Sequence, residues 1–151
     1  MIAAVFLSSA STATAAGIWY RPPPARVDLA LQGYAPAQAW LGSLYSQGRG
    51  VPQNYQLSAY WYRCAAVQGN PYGQFLVGLL YDKGLGVPQD YVLAHAWVNL
   101  ATAHAPRSVR YDWARVRDAM ATKLSLLDRT RAETLTVIPP GGPPCLGEPQ
   151  F

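Results

Sequence analysis

Hydrophobic and small residues recur at helical spacing in two consecutive stretches of the chain. Each stretch carries two stripes at the 3.6-residue period that marks one face of an amphipathic helix. The stripes of the first stretch are Ala37, Leu41, Leu44, Tyr45 and Gly48, then Tyr55, Ser58, Trp61, Tyr62 and Ala65. Those of the second are Gly73, Val77, Leu80, Tyr81 and Gly84, then Tyr91, Ala94, Trp97, Val98 and Ala101. This pattern predicts two pairs of helices.

The turn within each pair is nearly the same sequence, because residues 48–55 return as residues 84–91 at an offset of 36. A glycine at the end of a helix can adopt the left-handed conformation that caps the last carbonyls. The Val-Pro dipeptide that follows disfavours an immediate helical restart. Asn54 and Asp90 then stand where an N-cap accepts the free amide protons of the next helix.

A fixed period of this size predicts a solenoid, in which each unit buries its apolar face against a neighbour. The positions that repeat define its signature: Gly42, Tyr45, Gly48, Gly50, Pro52, Trp61, Gly78, Tyr81, Gly84, Gly86, Pro88 and Trp97. Gly42 and Gly78 each cost about 1 kcal/mol inside a helix, which predicts a close helix contact at both. Residues 30–33 match residues 66–69, so the array opens with a partial repeat. The fold prediction is an all-α, α-α solenoid of two helix-turn-helix repeats with a partial N-terminal repeat and a C-terminal helical cap.

The segments outside the repeats complete the predicted organisation. Residues 1–16 resemble a secretory signal, with an apolar run followed by small residues and an Ala-Thr-Ala cleavage site, although no cation precedes the run. Residues 17–27 form a proline-rich linker, and residues 28–106 hold the repeats. A cap occupies residues 107–136, with one helix over 108–124 and another that starts at Ser125-Leu126-Leu127-Asp128, a sequence similar to a capping box. Residues 137–151 are a tail rich in proline and glycine.

Charge and candidate chemistry add little to this picture. The formal net charge of +4 includes 12 cations and 8 acids. The cations that cluster between residues 107 and 131 are interleaved with acids, and no reader motif accompanies them, so nucleic acid is not predicted as a partner. His95 and His104 lack a second ligand at helical spacing. No metal, cofactor or catalytic group is predicted, and no stretch is long enough to cross a membrane.

The repeated residues resemble the Sel-one-like repeat family, a relative of the tetratricopeptide repeats. The match covers the Leu-Gly-x-Leu-Tyr-x-x-Gly-x-Gly-Val-Pro-Gln-x-Tyr pattern at residues 41–55, then Trp-Tyr and Ala-Ala at residues 61–66. The second copy differs at Val77, Val98 and Thr102. The resemblance implies a right-handed helical superhelix with no chemistry of its own and a role as an adaptor, often in bacterial envelope or signalling assemblies.

Three functions follow as alternatives. The first is a non-catalytic protein-protein interaction scaffold of the bacterial envelope, periplasmic or secreted, with a cytoplasmic location as the alternative. The second is a β-lactam or cell-wall hydrolase or binding protein, because a cysteine-rich branch of the family is connected with penicillin binding or hydrolysis; here Cys64 is the one cysteine within the repeats. The third is a fragment of a longer repeat array.

A partner protein or peptide is predicted to bind the concave groove, which the first helices of a helical solenoid line. Phe75 and Leu79 are apolar where the first repeat has Ala39 and Ser43. The predicted contact residues are Trp40, Phe75, Leu79 and Lys83. The alternative is that the cap helix covers Phe75 and Leu79.

The two cysteines, Cys64 and Cys145, are predicted to form a disulfide that holds the tail along the second helix of the first repeat, since exported chains tend to pair their cysteines. The alternative is a buried, inert Cys64 and a free thiol in the tail.

Overall fold

The computed structural model describes residues 21–137 and Cys145, and this part of the chain is helical without a strand. Its seven helices are α1 (Pro24–Leu31), α2 (Ala35–Gln47), α3 (Tyr55–Val67), α4 (Pro71–Lys83), α5 (Tyr91–His104), α6 (Arg107–Ala121) and α7 (Leu126–Val137). The residues predicted as a signal sequence, and the tail apart from Cys145, lie outside the described range. The prediction of an all-α fold is confirmed.

The helices stack in the order of a solenoid. Helix α2 packs against α3 and α4 packs against α5, while α3 packs against α4 and so joins the two pairs. Helix α1 packs on α2, and both α6 and α7 pack on α5. The predicted two repeats, partial first repeat and terminal helical cap are therefore all present.

Helix α1 begins inside the segment that was predicted to be a linker. Pro24 is its first residue, and Val27 and Ala30 are buried. Proline is tolerated at the start of a helix because the amide proton that it lacks would have no partner there. The predicted linker over residues 17–27 is corrected accordingly, since its last four residues are helical.

The turn of each repeat adopts the predicted conformation. Gly48 and Gly84 have φ values of 65° and 66°, in the left-handed region, at the ends of α2 and α4. The Asn54 side chain accepts a hydrogen bond from the Leu57 amide at 3.0 Å, and Asp90 accepts one from the Leu93 amide at 2.9 Å. The turn sequence therefore ends one helix and caps the next in both copies.

The glycines within α2 and α4 lie at close helix contacts. A Cβ atom added at Gly42 would stand 2.7 Å from the Tyr62 ring, and one at Gly78 would stand 2.7 Å from Cγ2 of Val98. Both distances are shorter than real side chains tolerate, so a larger residue would force the paired helices apart. The predicted compensation for glycine in these helices is confirmed.

Each repeat has its own core around a buried tryptophan. Trp61 packs with Leu41, Leu44 and Val51. Trp97 packs with Val77 and Leu80, and its cluster also takes in Ala59, Tyr62 and Ala66 of α3. The second core thus spans the boundary between the repeats and ties them together.

Helix α6 occupies the position of a third first helix. The first residues of α2, α4 and α6 are 35, 71 and 107, so α6 continues the 36-residue spacing. The glycine-containing turn that follows α2 and α4 does not follow α6. The next helix, α7, packs on α5, whereas α3 and α5 each pack on the first helix of their own repeat. The predicted apolar side of α6 faces inward: Trp113 and Met120 are buried, and Val109 and Val116 are half-buried. Leu124, which was predicted on the same side, lies three residues beyond the end of α6 and is also buried.

The start of α7 is capped as predicted. Ser125 Oγ accepts a hydrogen bond from the Asp128 amide at 3.1 Å and donates one to the Asp128 carboxylate at 2.7 Å. The aspartate thus takes the position of the usual Glu or Gln of a capping box.

Candidate interaction surface

Phe75 and Leu79 lie under the cap. The Phe75 ring is stacked on the Trp113 ring of α6, with centroids 4.4 Å apart and planes within 8°. Leu79 packs on the cluster that Met120 of α6 forms with Ala94 and Val98 of α5. The prediction of an open groove at these two positions is therefore corrected in favour of the alternative, because the cap buries its apolar side against them.

The other two predicted contact residues lie elsewhere. Trp40 is half-buried against the core of the first repeat, and the Arg26 guanidinium stands 4.9 Å above its ring. Lys83 is exposed in the last turn of α4. Phe75 and Leu79 share one cluster, whereas Trp40 belongs to another, so the four residues do not form one site.

Two tyrosines that the sequence analysis missed are exposed on α4 and α6, the helices that carry the stacked rings of Phe75 and Trp113. Tyr72 of α4 is 46% exposed and meets the Trp113 ring edge-on, with centroids 5.3 Å apart. Tyr111 of α6 is 74% exposed and stands 36 residues after Phe75. The 36-residue spacing is the signal that could have found Tyr111. The equivalent residue of α4 is Phe75, whose ring is covered by α6, the next first helix. Tyr72 and Tyr111 form the tyrosine surface.

Charge increases along the successive first helices. Helix α2 contains no ionisable acid or base except Tyr45, whereas α6 contains four arginines and two aspartates. Arg110 donates a hydrogen bond to the Ala105 carbonyl at 2.8 Å and so caps the end of α5. Lys123 lies 2.6 Å from the Asp82 carboxylate and joins the cap to α4. The Lys123 side chain is 42% exposed, so this ion pair contributes little stability.

Two buried glutamines connect the repeats and were not predicted. Gln38 donates to the Ala30 carbonyl at 3.1 Å, and Gln74, 36 residues later, donates to the Ala66 carbonyl at 3.2 Å. Both are almost fully buried, at 0% and 2% exposure. Each bond runs from a first helix to the end of the preceding second helix, where the same carbonyl also accepts a hydrogen bond from the backbone amide of Gly33 or Gly69. The recurrence of Gln at the same repeat position is the sequence signal that could have identified these two residues.

The Cys64 and Cys145 sulfurs are bonded, with Cα atoms 5.4 Å apart across 81 residues of sequence. Cys145 packs on the first core beside Leu31, Trp40 and Tyr60. Its carbonyl accepts a hydrogen bond from Gln38 Nε2 at 3.1 Å. Cys145 is thus fixed to the side of the first repeat at α3, and the predicted pairing of the two cysteines is present.

The described residues contain no cluster of three or more His, Cys, Asp or Glu side chains that could hold a metal ion. His95 is buried in α5, and burial, with a smaller effect of Arg117, lowers the pKa of its imidazole. His104 is exposed at the other end of the same helix. Among helices α1 to α7, none is both long and apolar enough to cross a membrane.

The architecture defines a class of protein, the α-α helical repeat scaffold: two consecutive helix pairs, the same turn geometry in both pairs, and a helical cap. Within that class, the chain belongs to the Sel1 repeat family. The Sel1 repeat profile matches residues 35–70 and 71–104, whose boundaries coincide with the two helix pairs. Proteins of this family typically serve as non-catalytic scaffolds that bind other proteins.

Two solved structures are similar to this chain. One is a protective antigen present in uropathogenic Escherichia coli strains that displays an SLR fold, with a TM-score of 0.67 and 34% identity; the match covers 74% of this chain and 23% of the antigen chain. The other is a Sel1 repeat protein from Oxalobacter formigenes, with a TM-score of 0.55 and 39% identity over 60% of this chain and 68% of that one. This chain therefore spans about a quarter of the antigen's length. Among curated proteins, none matches significantly.

Proposed function

We propose that this protein is an exported scaffold of the bacterial envelope that binds another protein or peptide through its first-helix side. The observation that carries the exported location is the bond between Cys64 and Cys145, the two cysteines of the chain. Disulfides persist in oxidising compartments, whereas the cytosol keeps thiols reduced. The signal-like residues 1–16 support the same location.

The tyrosine surface supports the binding side. Tyrosine is enriched at protein interfaces because it combines a large apolar ring with a hydroxyl that can form hydrogen bonds. Tyr72 and Tyr111 are exposed on α4 and α6, the helices that line the concave side of a helical solenoid. Lys83 is exposed on the same helix as Tyr72, so it remains a candidate contact.

Localisation and thiol state test the compartment together. A fusion of residues 1–27 to alkaline phosphatase, which is active only after export, should give activity, and a fusion that lacks residues 1–16 should give none. The full chain isolated from the native host without reductant and denatured should show no free thiol. Two free thiols per chain, with an inactive fusion, would place the protein in the cytoplasm.

Site-specific photo-crosslinking tests the binding side. A photoreactive amino acid at Tyr72 or Tyr111 should yield a crosslinked partner in the native host, whereas the same residue at Arg63 or Gln56, exposed on α3, should not. The crosslinked species must then bind the purified protein, and Tyr111→Ala must weaken that binding. Crosslinks from α3 alone would assign the binding side to the second helices instead.

A further inference from the structure

The cap is attached to the repeats around a buried histidine. His95 of α5 is 6% exposed, and its Nδ1 atom is buried without a hydrogen-bond partner. Its neighbours in sequence define where it stands: Ala94 belongs to the cluster with Met120 of α6, and Ala96 belongs to the cluster with Leu124 and Ala132 of the cap. His95 therefore lies at the junction where α6 and α7 pack on α5.

The charged groups around this junction come from the cap. Arg117 and Asp118 of α6 and Arg129 and Glu133 of α7 act electrostatically on His95, and the effect of Arg117 is the largest of the four. Helix α4, which also packs on α5, has two charged residues: Asp82 pairs with Lys123, and Lys83 is exposed. Helix α5 itself contains no Asp, Glu, Lys or Arg.

A second proton on the imidazole would be unfavourable in this setting. It would place a positive charge in a position with little contact with water, and burying a charge is costly. Arg117 and Arg129 add to this cost, and Glu133 and Asp118 offset part of it, but burial has the largest effect. When α6 and α7 move away, the imidazolium can be hydrated. The open form thus binds the proton more tightly than the closed form.

We propose that the junction of α5, α6 and α7 is an acid-sensitive latch, in which proton uptake by His95 releases α6 and α7 from the second repeat and uncovers Phe75 and Leu79. The first repeat does not depend on this contact. Helices α2 and α3 pack with each other and with their neighbours α1 and α4, and their core contains no part of the cap. The release is therefore confined to the C-terminal side of the molecule.

The direction of the pH effect follows from linkage. Burial lowers the pKa of His95 in the closed form, and in the open form the pKa returns toward the ordinary value of about 6.5. Above that pH, His95 is neutral in both forms, so its protonation does not change the stability of the closed form relative to the open form. As the pH falls below it, the open form takes up the proton first, and its population rises by up to about tenfold per pH unit until the closed form is also protonated.

Hydrogen exchange of the oxidised full chain at pH 7.5 and pH 5.0, corrected for the intrinsic effect of pH on exchange, tests the latch. The amides of α6 and α7 should exchange faster at pH 5.0 by about one order of magnitude, while those of α2 and α3 stay unchanged. His95→Gln should remove this acid response, and His104→Gln, the matched exposed histidine of α5, should keep it. An equal acid response in His95→Gln, or an equal response in α2 and α3, would overturn the proposal.

The unaltered protein offers a second measurement in case His95→Gln does not fold. The ring protons of the two histidines can be followed by nuclear magnetic resonance during the same titration. The latch requires the exchange of α6 and α7 to rise over the pH range in which the His95 signal shifts. If exchange rises only near pH 4, where carboxylates titrate, while His95 has already titrated at higher pH, the latch is contradicted.

Discussion

The two repeats have the same helix-turn-helix backbone, called the frame below, but different parts of the chain cover them. Their capping glycines, N-caps and buried tryptophans are at matching positions with nearly the same geometry. Yet the first repeat is covered by Cys145 of the tail, and the second is covered by α6 and α7. The comparison teaches that the repeat signature determines the frame, whereas residues between the signature positions determine what covers it.

Pairs of equivalent residues explain this difference. Cys64 of α3 corresponds to Leu100 of α5, so the first repeat alone can bond the tail. Ala39 corresponds to Phe75, whose ring reaches Trp113 of α6. These substitutions leave the frame unchanged because they lie outside the stripes that pair each first helix with its own second helix.

The largest predicted effect is shared by both repeats. Trp61→Ala and Trp97→Ala should each lower the free energy of unfolding by about 3 to 5 kcal/mol, because both indoles are almost fully buried and the cavities left behind cannot close completely. Urea unfolding of each variant measures this loss. Near-zero changes in both variants would contradict the common frame.

A smaller effect should distinguish the repeats. Phe75→Ser should lower the free energy of unfolding by about 2 kcal/mol, less than for a fully buried ring, since the half-buried side chain loses its packing on Trp113. Leu126→Ser is the control in the cap, since Leu126 is 82% exposed and should tolerate the change. If Phe75→Ser leaves the melting temperature unchanged and abolishes partner capture, the residue lines an open groove after all.

The smallest effect should again be equal in the two repeats. Asn54→Ala and Asp90→Ala each remove an N-cap hydrogen bond and should cost about 1 kcal/mol. Thermal unfolding at pH 7.5 measures both. A loss in one variant that exceeds the other by 2 kcal/mol or more would mean that the two turns are not equivalent.

The sequence was sufficient to predict the frame because its signals are local. Left-handed glycines, N-caps and a 36-residue recurrence depend on neighbouring residues, and the structure has them where they were expected at Gly48, Gly84, Asn54 and Asp90. The predicted helix over residues 108–124 differs from α6 by one residue at its start and three at its end.

What covers each repeat could not be predicted from such signals. Sequence left Phe75 either exposed in a groove or buried under the cap, because the choice depends on where α6 packs in space. Gln38 and Gln74 were overlooked because a polar residue in a helix suggests solvent, and their partners lie 8 residues away at the end of another helix. Tyr72 became a candidate only when Trp113 was located beside it, and Tyr111 only when its side chain was found exposed.

The most direct test of this account compares hydrogen exchange of the oxidised and reduced full chain at pH 7.5. Reduction frees Cys145 from Cys64, so exchange should increase in α1 and at the start of α2, because Gln38 donates hydrogen bonds to the carbonyls of both Cys145 and Ala30. Helices α5 to α7 should keep their protection, since the cap covers the second repeat independently. A loss of protection in α6 and α7 that equals or exceeds the loss in α1 and α2 would contradict the claim that different parts of the chain close the two repeats.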